Sequence, residues 1–168
     1  MVIRVIDKIT QFAAFFSAWM LFGIGVMVTF EVIMRKVFNS PTIWVDETAR
    51  FCLVWAVYLA SAHILKSREL ITVELFTGSL SPAKLKMLEF FALTVIAIFS
   101  AVATYYGAEV VLESIEMGRK TSSMLGVPKW ITESAVPVGF GLLLVQAVVE
   151  IIKLAKGREI AAIAEHKI

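Results

Sequence analysis

Charge is scarce in this chain, and missing from the positions where chemistry would need it. Residues 9–30, 51–65, 90–108 and 134–149 contain no Asp, Glu, Lys or Arg. Hydrophobic residues make up 59% of the chain and charged ones 18%, with a mean hydropathy of +0.83. A soluble domain built this way would expose far more apolar surface than water tolerates, so the chain is read as a membrane protein. Cys52 is the only cysteine; no intramolecular disulfide can form, and it is expected to pack as a small apolar residue. The two histidines are His63 and His166. His63 has no nearby cysteine or carboxylate on its own helix face, which makes it a poor metal site, and His166 in the tail does not offer the facing-helix partner a haem pair needs. Glycine-rich phosphate loops and nucleophile–base arrangements are missing too. These absences predict no enzyme, no cofactor and no metal in this chain. An ion or proton relay through a membrane uses ionisable residues at mid-depth, and no span offers one. A drug antiporter of four helices needs a carboxylate deep in its first helix, whereas Glu31 stands at the end of that run. What remains is an accessory or scaffolding membrane subunit, or a regulator of one, although a site lined by backbone carbonyls would escape this argument.

Crossing about 30 Å of hydrocarbon takes roughly 20 helical residues. The first and third uncharged runs reach that length directly. The second and fourth reach it when extended to include Ile43, Ile131 and Leu154, with charge only near the ends. The expected fold is all-α: one membrane domain over 1–168 with spans at 9–34, 43–65, 86–112 and 131–154. Three spans, or two with re-entrant segments, is the alternative. The runs lack the alternation of a barrel, and helices satisfy their own backbone in lipid. Arg4 and Lys8 before an apolar core imitate a signal peptide, but Glu31, Arg35 and Lys36 follow in place of a small-residue cleavage site, so the first span is read as uncleaved. With four spans, Arg4, Lys8, Lys66, Arg68, Lys84, Lys86, Lys153, Lys156, Arg158 and Lys167 share one side. Only Arg35, Lys36, Arg119, Lys120 and Lys129 lie on the other, with Arg50 at the boundary. The positive-inside rule therefore predicts cytoplasmic termini. A net charge of +2 needs no nucleic-acid partner; the phospholipid bilayer accounts for the cations.

Along the chain, Ala13, Ala14, Ser17 and Ala18, then Gly23 and Gly25, offer close helix approach. Glu31 and Arg35 can pair at i,i+4, and Asn39, Ser40 and Pro41 end the helix. Trp44 suits the interface. Asp46 and Glu47 lie four and three residues before Arg50, a polar cluster at the hydrocarbon edge that either satisfies itself or joins a neighbouring helix or subunit. His63 is read as an interfacial residue near a negative helix end. Residues 70–85 form a short amphipathic segment expected to lie on the membrane, with Ser81 as cap and Pro82 in the first turn of the next helix. Glu109, Glu113 and Glu116 make an acidic stripe; it is a solvated helix end, a dock for an external protein, or a partner of Arg119 or Lys120. Pro128 suits a first-turn position, Trp130 an interface anchor, and Pro137 a mild kink.

The pattern W-x-x-E-x-x-R-x-x-x-x-W from Trp44 through Glu47 and Arg50 to Trp55, with Ala49 between and Ile71, Val73 and Glu74 after the turn, resembles the small membrane subunit of TRAP (tripartite ATP-independent periplasmic) transporters, the DctQ type. Val127, Pro128, Trp130, Pro137 and Gly139 are similar to that family's second signature. Leu70 stands where the family often has histidine. The resemblance implies four membrane helices with both termini cytoplasmic, in a bacterial or archaeal inner membrane. It implies a large membrane subunit as obligate partner, holding the substrate and sodium sites and moving as an elevator, and a periplasmic solute-binding protein as transient partner. Import of an organic anion, carboxylate or sulfonate, would be driven by sodium. This chain would then be the scaffold, with Trp44, Asp46, Glu47, Arg50 and Trp55 in a subunit-interface or structural cluster, Glu109, Glu113 and Glu116 for docking, and Pro128 and Trp130 as anchors. The alternatives are an anchor subunit of a respiratory complex and a stand-alone small transporter.

Overall fold

The computed structural model describes residues 2–67, 82–122 and 126–155. They form α1 (Val2–Val37), α2 (Ile43–Ser67), α3 (Pro82–Glu116), the single turn α4 (Trp130–Glu133) and α5 (Ala135–Ala155). Four helices are long and apolar enough to cross a membrane, the fourth running through α4 and α5 from Trp130 to Ala155. Among the described residues the only sheet-like pairing is an isolated bridge between Lys120 and Pro128. This is the all-helical architecture expected of a chain whose backbone must satisfy itself in lipid.

Local chemistry sets the helix ends. α1 stops where Phe38 and Ser40 both turn their amides onto the Met34 carbonyl, with Asn39 in the left-handed region at φ 48° and Pro41 beyond it. α3 begins at Pro82, whose missing N–H costs nothing in a first turn. It ends in a Schellman pair, Arg119 N–H to Ser114 O and Gly118 N–H to Ile115 O, with Gly118 at φ 58°.

α2 packs between α1 and α5, and α5 between α2 and α3. The start of α1 and the end of α5 share one end of the bundle, termed proximal; the other end is distal. Contacts fix the registers. The Ser17 hydroxyl donates to Ala56 O at 2.6 Å across α1 and α2. Gly139 of α5 lies so close to Tyr58 of α2 that an added Cβ would meet the Tyr58 Cβ at 2.5 Å. Gly107 of α3 meets Val136 and Pro137 of α5 in the same way, at 3.1 and 3.2 Å. Small residues carry these approaches because, in lipid, close van der Waals packing replaces hydrophobic drive; Ala56, Ala62, Ala135 and Ala147 are fully buried. Leu65, Leu93, Ala147 and Leu154 close the proximal half. Gly23 and Gly25, by contrast, have nothing among the described residues within 4 Å of where a Cβ would sit, so the expected close packing there is not made by those residues.

Three expectations are modified. Of the amphipathic segment 70–85, residues 70–81 lie outside the described residues, while 82–85 already belong to α3. Pro128 is not in a helical first turn; it pairs with Lys120, and the neighbouring Lys129 N–H donates to Arg119 O. The fourth span is interrupted at Ser134 between α4 and α5. Pro137 explains this, since it has no N–H to give the Glu133 carbonyl four residues earlier.

Candidate functional site

Charged side chains gather at the two ends of the bundle. At the distal end, the Arg50 guanidinium reaches Asp46 at 3.4 Å, both side chains being largely exposed. Glu47 does not join them. Successive helical residues point about 100° apart, so with Asp46 outward Glu47 turns into the bundle. It is buried, and neither carboxylate oxygen meets a donor among the described residues. The expected three-residue cluster is therefore an exposed pair and a separate buried acid.

Trp44 and Trp130 are exposed near the distal helix starts, where amphipathic rings favour the membrane surface. Trp55 turns inward instead, and its indole N–H donates to Ile131 O at 3.0 Å, tying α2 to α4. Glu31, buried on α1, is held by Arg35 at 2.8 Å. Glu109, Glu113 and Glu116 are all exposed along the last turns of α3. Glu113 is met by Arg119 at 3.0 Å, so one acid of the stripe is neutralised within the chain.

The proximal cluster was not anticipated as a unit. Gln146, Glu150 and Lys153 lie on one face of α5, and Asp7 and Thr10 on the facing turn of α1. The Thr10 hydroxyl donates to Gln146 Oε1 at 3.0 Å. Gln146 Nε2 donates to Glu150 at 2.8 Å and to Asp7 at 3.4 Å. Lys153 Nζ reaches Glu150 at 2.8 Å and Asp7 at 3.3 Å, and Lys66 of α2 donates to the Asp7 carbonyl at 3.1 Å. Thr10, Gln146 and Glu150 are almost fully buried. Two carboxylates with two ammonium groups, closed by a neutral amide, let charge sit inside the bundle without an orphan. This network joins α1, α2 and α5. The i, i+4, i+7 spacing of Gln146, Glu150 and Lys153 was the available signal.

The described residues contain no group of three or more His, Cys, Asp or Glu able to hold a metal ion. His63 is half-buried and its Nδ1 meets no partner among them. Chemically, both ends can bind helices together and present charge.

Residues 24–157 match the family described as tripartite ATP-independent periplasmic transporters, DctQ component. One relative is the isethionate TRAP transporter permease protein DctMQ of Oleidesulfovibrio alaskensis, 25% identical over 126 residues, covering 71% of this chain and 20% of that protein. The chain thus spans about a fifth of the length of the curated relative it matches. With four membrane-length helices, the Trp44–Trp55 signature at the start of α2 and a match over most of its length, the chain belongs to the DctQ component family of TRAP transporters.

Proposed function

We propose that this chain is the small scaffold subunit of a sodium-coupled importer of an organic anion. It holds no solute site of its own. A large elevator-type membrane subunit binds solute and sodium, and a periplasmic binding protein delivers the solute. The observation that carries this reading is the match to a component family by a bundle whose buried charged groups, Glu31, Glu47 and Glu150, all stand near its ends. The permease relative, named for the sulfonate isethionate, is about five times as long as the matched stretch, which supports placing the transport site in a large partner. Both termini are proposed to be cytoplasmic in an inner membrane, making the distal end periplasmic. There the exposed Asp46–Arg50 pair and Trp44 would lie against the partner, Glu47 and Trp55 would hold α2 in place, and Glu109 and Glu116 would help dock the binding protein.

The test is a mild-detergent pull-down of the tagged chain from its native membrane, read by mass spectrometry. A large polytopic subunit should come with it. Recovery of the chain alone, or with redox subunits, from membranes that contain a large TRAP subunit would contradict the proposal.

A further inference from the structure

The buried side-chain oxygens that meet no partner among the described residues belong to Thr42, Glu47, Ser100, Ser114, Thr132 and Glu133. All but Ser100 stand at the distal end. Glu47 is the extreme case, 9% exposed and with neither carboxylate oxygen given a donor. A carboxylate buried beside hydrocarbon without a countercharge is among the least favourable arrangements a bundle can carry. The guanidinium groups at this end are committed elsewhere, Arg35 to Glu31, Arg50 to Asp46 and Arg119 to Glu113. Lys36 and Lys120 are exposed.

Helix registers bring further oxygens to the same height. α2 and α5 both run from distal to proximal, and the close approach of Gly139 to Tyr58 sets those two residues level. Glu47 lies eleven residues distal of Tyr58, and Thr132 seven distal of Gly139. Both spacings are close to whole helical turns, so Glu47 and Thr132 face each other across the same contact line, offset by about 6 Å along the axis. Ser114 lies seven residues distal of Gly107, which meets Val136 and Pro137 of α5. It therefore faces the α4 line at a height between the other two. Glu133, next to Thr132, adds one further buried oxygen. α2, α3 and α4 thus each bring unpartnered oxygen to one level.

A water molecule supplies donors to such oxygens but leaves the charge standing. A cation answers both needs, and the oxygens select its class. Zinc draws on thiolate and imidazole, which these residues do not carry. Calcium gathers about six to eight oxygens and would overcompensate one fully buried acid. Glu133 is half-buried, with one oxygen enclosed, so the charge to be neutralised inside is that of Glu47. One carboxylate with neutral hydroxyls suits a hard monovalent ion. We propose that Glu47 anchors an alkali-cation site at the distal end, with Thr132 and Ser114 as neutral oxygen ligands. The bound ion ties α2 to α3 and α4. The site is built from this chain alone and is separate from any sodium site of a large partner.

The test is thermal unfolding of the full-length chain in mild detergent at constant ionic strength, with choline chloride replaced stepwise by sodium chloride. The midpoint should rise with sodium, by roughly 3–5 °C per tenfold increase once the site fills. E47Q keeps the shape and removes the charge. Its sodium response should vanish, while its stability in choline matches or exceeds that of the parent. T132V and S114A should keep the response but require about tenfold more sodium, the size of one lost ligand. A rise with potassium as well as sodium also supports the site. A midpoint indifferent to alkali ions, a response to calcium alone, or an undiminished sodium response in E47Q overturns it. So does a chain that lacks the sodium response and is destabilised by K129M, since half-buried Lys129 is then the countercharge of Glu47. The scaffold reading is tested separately, by recovery of the large subunit.

Discussion

Single residues decide how closely these helices can approach. Gly139 faces Tyr58 with no room for a methyl group, whereas Gly25 faces open space. G139A should therefore destabilise the purified chain by about 1–3 kcal/mol, the usual cost of overpacking. G25A should be near neutral or slightly stabilising, since alanine is the better helix residue. The midpoint of denaturing-detergent unfolding separates the two, and equal midpoints would refute the packing described. Lys153 raises the second residue-scale question. K153M leaves the Glu150 carboxylate, only 3% exposed, with a single amide donor. Breaking a buried pair from one side costs about 3–5 kcal/mol. Adding E150Q to K153M should recover much of that loss, because the orphan charge goes with it; a double variant no better than the single would show that Glu150 is not the group left stranded.

At the scale of elements, α1 and α2 are tied by Ser17–Ala56 near mid-helix and Lys66–Asp7 at the proximal end. Cysteines at positions 17 and 56, in a chain with Cys52 replaced by alanine, should form a disulfide on mild oxidation in the membrane. Moving the second cysteine to Val57, whose side chain is exposed, should abolish it. Crosslinking at 57 but not 56 would mean a rotated helix. The helices themselves were legible in the sequence, because uncharged length and end charges follow directly from bilayer thickness. The Glu31–Arg35 pair, the turn at Asn39–Pro41 and the start at Pro82 were legible too, each resting on neighbours within a few residues. Interhelix partners were not. Thr10 meets Gln146 across 136 positions, and no local spacing encodes that meeting. Asp46, Glu47 and Arg50 looked like one cluster because spacing alone cannot say which face is inside; burial of Glu47 decided it. Pro128 was misplaced because a proline opening a helix and one ending a loop pairing look alike in sequence.

For the whole molecule, the order α1, α2, α5, α3 leaves two edge helices covered on one side only. Phe12, Trp19, Phe22, Phe91, Ile98 and Tyr105 are all more than half exposed. Such edges suit the proposed role as a scaffold beside a larger membrane subunit. The bundle's buried carboxylates stand near the ends, Glu150 and Glu31 paired and Glu47 without a donor among the described residues, and the uncharged runs of all four spans fill the middle. The central claim is that this chain supports transport without performing it. The most direct measurement is solute uptake into proteoliposomes under an inward sodium gradient, with the binding protein supplied outside. The account predicts no uptake by this chain alone, uptake when the large subunit is co-reconstituted, and loss of that uptake when this chain is omitted. Uptake by this chain alone, or full uptake without it, would contradict the account.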